Sequence, residues 1–184
     1  MQLLMIREQL TDLPALQPPS GYRARHLRSG EGGEWDRIIA ASFGGDYRFD
    51  RDMEANAAYK PEKVWFICDD NDRPIATASA WYQPQWPATT GYLHMVGIMP
   101  EHEGRKLGYW VSLAALRHMA QEGRTRAVLH TDDHRVPAIK TYLNLGFIPQ
   151  LTGPDLLECW RSIASQLGLS FPAVDSDGNR VQIG

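Results

Sequence analysis

One segment near the middle of the chain limits its fold more than any other feature: Val96-Gly-Ile-Met-Pro-Glu-His-Glu-Gly-Arg-Lys-Leu-Gly-Tyr109. An apolar strand-type run ends at a proline, a loop with glycines follows, and an amphipathic helix begins at once. The stripe Leu107, Trp110, Val111, Ala114 and His118 predicts a helix that runs to Glu122 and stops at Gly123. A strand, a tight loop and a helix start in that order leave backbone N–H groups unpaired at the positive end of a helix dipole. That geometry suits a phosphate or diphosphate. The segment lacks Gly-Lys-Ser/Thr, which excludes a P-loop, and its spacing does not fit the dinucleotide fingerprint. Taken alone, glycines that only make a tight turn explain it equally well.

Strands and helices alternate around it. A short leading strand precedes the connector Leu13-Pro-Ala-Leu-Gln-Pro-Pro-Ser-Gly21, and residues 22–28 read as a half-exposed strand. Ser29 is expected to cap a helix whose face is Trp35, Ile38, Ile39, Ser42 and Phe43, stopped by Gly44 and Gly45. A weaker helix is expected over residues 50–58. The runs Val64-Trp-Phe-Ile-Cys68 and Ile75-Ala-Thr-Ala-Ser-Ala-Trp81, parted by Asp69-Asp-Asn-Asp-Arg-Pro74, predict an antiparallel hairpin. Tyr92-Leu-His-Met-Val-Gly-Ile98 and Arg126-Ala-Val-Leu-His-Thr131 read as further strands. Ala138-Ile-Lys-Thr-Tyr-Leu-Asn-Leu145 reads as a short helix stopped by Gly146. Leu157, Trp160, Ile163, Ala164 and Leu167 give a terminal helix ended by Gly168. The tail after Phe171, rich in Gly, Asp and Asn, reads as loosely held. The expected organisation is a leading strand and connector over residues 1–20, one α/β domain over 21–167, and a tail over 168–184.

Composition narrows the function classes. At 184 residues, 43% hydrophobic and 22% charged with a net charge of -3, the chain is long enough for one true core. Neither disorder nor a nucleic-acid-coating role fits that balance. Cys68 and Cys159 are the only cysteines, so a disulfide framework and a Cys-rich zinc site are both excluded, and two buried thiols in a reducing compartment are expected. His130-Thr-Asp-Asp-His134 has metal-ligand residue types but no third ligand in register. Capping of the next helix by Asp132 or Asp133 is the better account, and no metal is expected. The apolar stretch at the start is too short to span a membrane and carries charges, so a cytoplasmic protein is expected.

A second segment, Thr131-Asp-Asp-His-Arg-Val-Pro-Ala-Ile-Lys-Thr-Tyr-Leu-Asn-Leu-Gly-Phe147, follows one helix and one strand after the first. Together they resemble the GNAT superfamily of N-acetyltransferases over residues 21–149. The first is similar to that family's Val-x-Val-x-Pro-x-x-Arg/Gln-Gly-x-Gly-x-Gly/Ala acyl-CoA signature through Val96, Ile98, Pro100, Gly104 and Gly108. The second is similar to its Ala-Ile-x-x-Tyr-x-x-x-Gly-Phe signature through Ala138, Ile139, Tyr142, Gly146 and Phe147. Glu103 departs from the usual Arg or Gln, and Lys106 replaces the central Gly of the loop. A carboxylate repels a diphosphate while Arg105 and Lys106 attract it, so the loop's charge is roughly kept.

The resemblance implies an α/β GNAT fold, with a mixed, mostly antiparallel sheet flanked by helices. It also implies acetyl transfer from acetyl-CoA, as cosubstrate, to a primary amine by direct attack in a ternary complex. Backbone groups of Val96, Gly97 and Ile98 would pair with the pantetheine arm like an added strand, Gly97 leaving room for it. The phosphates would sit at Gly104, Arg105, Lys106, Leu107, Gly108 and Tyr109, and one strand N–H would polarise the thioester carbonyl. Tyr142 corresponds to the family tyrosine that protonates the departing thiolate; a tyrosine packing its ring on the sheet is the plain alternative. His94 corresponds to a histidine of arylalkylamine-type members and is the candidate general base; a histidine satisfied within the sheet is the plain alternative. Period-2 alternation puts His94 on the same face as Ile98.

The loop Trp81-Tyr-Gln-Pro-Gln-Trp86 reads as a wall of the acceptor cleft, as core, or as a homodimer surface. The partners read from the sequence are a small-molecule or peptide amine, with no nucleic acid and no membrane. Two other readings stand beside the enzyme: a non-catalytic acyl-CoA sensor or interaction module, and a mycothiol-synthase-like enzyme acting on a thiol-linked or peptide amine. The lead-in Pro18-Pro-Ser-Gly-Tyr22 is similar to that of the latter group, while a length fit for one domain weighs against it.

Overall fold

Period-2 apolar runs and helical stripes resolve into nine strands and four helices among the described residues. The structure, a computed structural model, describes the backbone of residues 1–184 and the side chains of all but Pro154. In chain order the elements are β1 (Gln2–Arg7), β2 (Arg23–His26), α1 (Gly32–Phe43), β3 (Val64–Cys68), β4 (Pro74–Trp81), β5 (Thr90–Ile98) and α2 (Leu107–Gln121). Then come β6 (Arg126–Asp132), α3 (Val136–Asn144), β7 (Ile148–Pro149), α4 (Pro154–Leu167), β8 (Phe171–Val174) and β9 (Arg180–Ile183). They fall into two compact units, Gln9–Ala127 and Met1–Glu8 with Val128–Gly184.

In the larger unit β2, β3, β4 and β5 pair in that order, every neighbour antiparallel. The hairpin of β3 and β4 forms as its turn chemistry demands: Asp69 accepts the N–H groups of Asn71 and Arg73 at 3.0 and 2.9 Å. All eight residues of β4 are buried, which a continuous apolar run requires of a central strand. Ser29 does not cap α1. The residue before the helix is Glu31, whose carboxylate grips Arg25 through two bonds of 2.7 Å and accepts the N–H of Arg28. Arg25 also reaches Asp72, which gathers Arg23 and Arg28 as well. This cluster fixes the chain entering α1, so no hydroxyl cap is needed; the guanidinium of Arg25 holds the Glu31 carboxyl below its usual range. The helix expected over residues 50–58 shrinks to one wide turn, Asp50–Glu54. There Asp36 and Asp52 accept the N–H groups of Phe49 and Arg48, and such local side-chain bonds compete with helix propagation.

In the smaller unit β1 lies between β6 and β7, with Met5 opposite Pro149 and Ile6 opposite Ile148. Neither Asp132 nor Asp133 caps α3: no side chain caps it, and a proline in its first turn presets the backbone instead. Asp133 accepts the N–H of its neighbour His134 at 3.0 Å. The tail is not loose. β8 and β9 form a hairpin with Phe171 opposite Ile183 and Ala173 opposite Val181, and Phe171, Ala173 and Ile183 are buried. Its turn is held by Asp175, which accepts the N–H groups of Asp177 and Asn179 at 2.9 and 2.8 Å. Trp160 of α4 meets Phe171 edge to face at 6.0 Å between centroids. Phe171→Ala is therefore expected to destabilise the protein by about 3 kcal/mol in a denaturant titration; a midpoint unchanged from wild type would mean that the hairpin is not part of the core.

Candidate active site

The site is built on a break in the β4–β5 ladder. Thr77 faces Gly97 and Ser79 faces His94, so Met95 and Val96 together oppose the single residue Ala78. This is a β-bulge, and Met95 takes a left-handed backbone at φ 51°. Such a conformation costs a residue with a β-carbon about 1–2 kcal/mol. The bulge also reverses the alternation. Ile98 pairs with Ala76 and His94 with Ser79, and two β4 residues three apart point to opposite faces. His94 and Ile98 therefore lie on opposite faces, contrary to the count by twos. Ile98 meets α2, where a β-carbon on Gly108 would come within 2.9 Å of it. Gly97 sits beneath α1, where a β-carbon would come within 2.8 Å of the Ser42 hydroxyl and 3.0 Å of Ile39. The room at Gly97 is thus taken by the helix rather than left for a ligand.

Ser42, expected only as one position on the inner face of α1, does more. Its hydroxyl donates to the Ile98 carbonyl at 2.9 Å and accepts the Ile98 N–H at 2.8 Å. Both backbone polar groups of Ile98 are satisfied by this one side chain. A serine inside an otherwise apolar stripe was the sequence signal for it.

His94 shares its face with Trp81 and Tyr92, whose ring centroids lie 5.7 and 5.4 Å away. Burial pushes its imidazole down to about 4, so the ring is neutral at pH 7. Across the ladder, the hydroxyl of Ser79 is buried with no partner among the described residues. Trp81 is core, while Tyr82 lies under the guanidinium of Arg124 at 5.1 Å.

Beyond β5 the chain turns through a loop. The Met99 N–H bonds the Ile75 carbonyl at 2.9 Å, and Pro100–His102 form a single 3-10 turn. Gly104 takes φ 76° with open space around it, a conformation that a β-carbon would strain. Lys106, immediately before α2, also lies in the left-handed region at φ 59° and caps nothing with its side chain. Leu107 and Gly108 open the helix, so their N–H groups have no intrahelical acceptor. Arg105 and Lys106 are exposed and form no ion pair among the described residues. Arg105 instead donates to the Tyr22 hydroxyl at 2.5 Å, and that hydroxyl also bonds Nδ1 of His102 at 2.9 Å. Free amides, a helix start and uncompensated cations are a chemistry that suits an anion.

Tyr142 belongs to the smaller unit, buried on α3 with its ring edge-on to Phe147 at 6.2 Å. Burial pushes the Cys68 thiol up to about 11, which leaves it protonated and unreactive at neutral pH. A cavity of about 560 Å³ at the start of α1, lined by Leu27, Gly32, Asp36, Arg48, Phe49 and Tyr59, holds none of the residues expected to bind a donor. Among the described residues, no helix is long and apolar enough to cross a membrane.

Residues 34–147 match the model of the GNAT acetyltransferase family. A mycothiol acetyltransferase of Nocardioides is 30% identical over 167 residues, which cover 78% of this chain and 56% of that protein. The chain spans about half the length of the curated relatives it matches. A GCN5-related N-acetyltransferase from Sphaerobacter thermophilus superposes with a TM-score of 0.66 at 18% identity, over 80% of this chain and 48% of that one. A chain of the NatC complex bound to Gag peptide and CoA superposes at 0.59 and 18% identity, over 69% of this chain and 84% of that one. At these identities the likeness to solved structures establishes the fold.

Two stability measurements probe this geometry. Lys106→Gly relieves a left-handed backbone and should raise the unfolding free energy by about 0.5–1 kcal/mol; a loss would mean that the lysine is not strained. His94, depressed when folded, binds a proton more readily when unfolded, so stability present above about pH 6.5 is lost as pH falls toward 4. His118 and His130 are also depressed by burial and act with the same sign. The decline of the denaturant midpoint between pH 7 and 5 should therefore become shallower, without vanishing, in His94→Gln; equal declines would mean that His94 is not buried neutral.

Proposed function

The chain belongs to the GNAT acetyltransferase family, and we propose that it moves the acetyl group of acetyl-CoA to a primary amine by direct attack in a ternary complex. The observation that carries this reading is the junction of bulged strand, loop and α2 start with its two unpaired cations. The donor's phosphates take the amides from Gly104 to Gly108 and the charges of Arg105 and Lys106, with Tyr109 in the same first turn of α2. The carboxylate of Glu103 weakens that hold without reversing its sign.

The pantetheine arm runs beside β5. Because Ser42 already satisfies Ile98, pairing in the manner of an added strand falls first to Val96, with Gly97 and Ile98 forming the wall behind it. A bulge frees a strand N–H from its ladder, and that donor suits the oxyanion that forms as the amine attacks the thioester carbon. The tetrahedral intermediate gives the extra proton on its nitrogen to water and collapses, the C–S bond breaks, and the thiolate leaves with a proton. Tyr142 is the assigned donor of that proton, since a phenol is protonated at neutral pH. The role of His94 is narrower than that of a general base at pH 7. A ring held near 4 does not keep a proton taken from an ammonium at neutral pH, so His94 accepts a hydrogen bond from an amine that arrives neutral or deprotonates through water. Cys68, protonated at neutral pH, supports direct attack over a covalent acetyl-thiol route.

The curated relatives carry the name mycothiol acetyltransferase, which favours a small-molecule amine over a peptide as the acceptor. Glu103, exposed in the donor loop, favours a second reading in which the chain binds acyl-CoA without turnover. Thiol release measured across a panel of amines, mycothiol precursors and peptides with free amino termini included, separates the two.

CoA at a hundredfold over its dissociation constant should add about 2.7 kcal/mol of stability. No melting shift at millimolar CoA would sink both readings, and binding without turnover on every amine would leave the sensor. With an active acceptor, Tyr142→Phe should lower turnover at least about tenfold while CoA affinity stays within about twofold. An acidic limb of the rate profile above pH 6 should survive His94→Gln; its loss would restore His94 as the base.

A further inference from the structure

The lead-in Pro18-Pro-Ser-Gly-Tyr22 has no role in the reaction just described, yet it ends on the donor loop. We propose that Tyr22, braced by His102, is a positioning residue that holds Arg105 for the phosphate-bearing end of CoA, an inference that rests on the acetyl-CoA reading above. The chain delivers Tyr22 rigidly. Its N–H closes a turn onto the Pro19 carbonyl at 3.0 Å, Gly21 supplies the φ of 85° which that turn requires, and β2 starts at the next residue, with Arg23 opposite Cys68. The half-buried ring meets His102 edge to face at 5.9 Å.

The hydrogen-bond chemistry orders the three groups. A guanidinium has no acceptor, so the phenol oxygen accepts from Arg105, and the same hydroxyl pairs with Nδ1 of His102, which braces it from the other side. One N–H of Arg105 is engaged, and four remain for a ligand.

The choice of partner is the decisive feature. Arg23, Arg25, Arg28, Arg37, Arg48 and Arg51 are each held by a carboxylate, which fixes the side chain and cancels its charge. Arg105 is held by a neutral phenol, which fixes the side chain and leaves the charge for an anion. A preordered arginine loses less rotamer freedom on binding, an advantage of about three- to tenfold in affinity. It also offsets Glu103, which stands in the same loop where the family carries a neutral or cationic residue.

Equilibrium titration of CoA into four proteins tests this: wild type, Tyr22→Phe, Arg105→Ala and the double variant, with the ligand-free melting temperature recorded for each. Tyr22→Phe keeps the ring and removes only the hydroxyl, so the melting temperature should move by no more than about 2 °C while the CoA dissociation constant rises about three- to tenfold. Arg105→Ala should raise it at least about tenfold, and the double variant should fall within about twofold of Arg105→Ala alone. A tyrosine with only a structural role would weaken CoA by the same factor whether or not Arg105 is present, and that additive result would overturn the inference. So would an unchanged dissociation constant in Tyr22→Phe. A wild-type chain that binds no CoA overturns the acetyl-CoA reading and this inference together, whereas wild-type binding with a silent Tyr22→Phe overturns this inference alone.

Discussion

The candidate site on the larger unit depends on how β5 is clamped where its ladder breaks. Gly97 lies under α1, Ile98 lies against the first turn of α2, and the Ser42 hydroxyl holds both the N–H and the carbonyl of Ile98. Two residues with β-carbons, Met95 and Lys106, are left-handed at either end of the segment between the bulge and the helix. Strain of that kind persists only where its surroundings over-determine it, and here helices pack on both faces of the strand. The loop consequently leaves β5 at a fixed point, and the amides at the start of α2 are presented without their own acceptors.

Charge is distributed to the same end. Around the start of α1, arginines and carboxylates neutralise one another in a connected cluster centred on Arg25 and Asp72. On the loop before α2, Arg105 and Lys106 form no ion pair among the described residues. Elsewhere on β5, burial keeps His94 neutral, and on β3 it keeps Cys68 protonated. The chemistry open to the unit is therefore anion binding and polarisation by backbone donors rather than attack by one of its own side chains.

Much of this was legible in the sequence, and the misses share a cause. The strand-loop-helix segment, the β3–β4 hairpin and the stop of α4 at Gly168 are written in local chemistry: prolines, turn aspartates, apolar stripes and glycines. The bulge was not, because counting by twos assumes one residue per step and a methionine carries no sign that it will turn left-handed. Ser29, Asp132 and Asp133 have the right residue types for caps, but the Glu31–Arg25 pair and a first-turn proline already do that work. The closing hairpin was hidden by its polar turn, although the alternation of Phe171 with Ala173 and of Val181 with Ile183 was there to be read. Tyr22 meets Arg105 across 83 residues of sequence, a separation at which no local pattern speaks. The lead-in's likeness to mycothiol-synthase-like enzymes pointed toward the curated relatives, while a length suited to one domain argued against them; the chain spans about half of those proteins.

The most direct measurement of the central claim, that the β5–α2 junction is the donor site, is amide hydrogen exchange with and without CoA. Slowed exchange should concentrate at Val96 and at the amides of residues 104–109, with the Ile98 amide, already bonded to Ser42, changing least within that stretch. Protection that leaves residues 104–109 untouched and appears instead around the cavity at the start of α1 would contradict it.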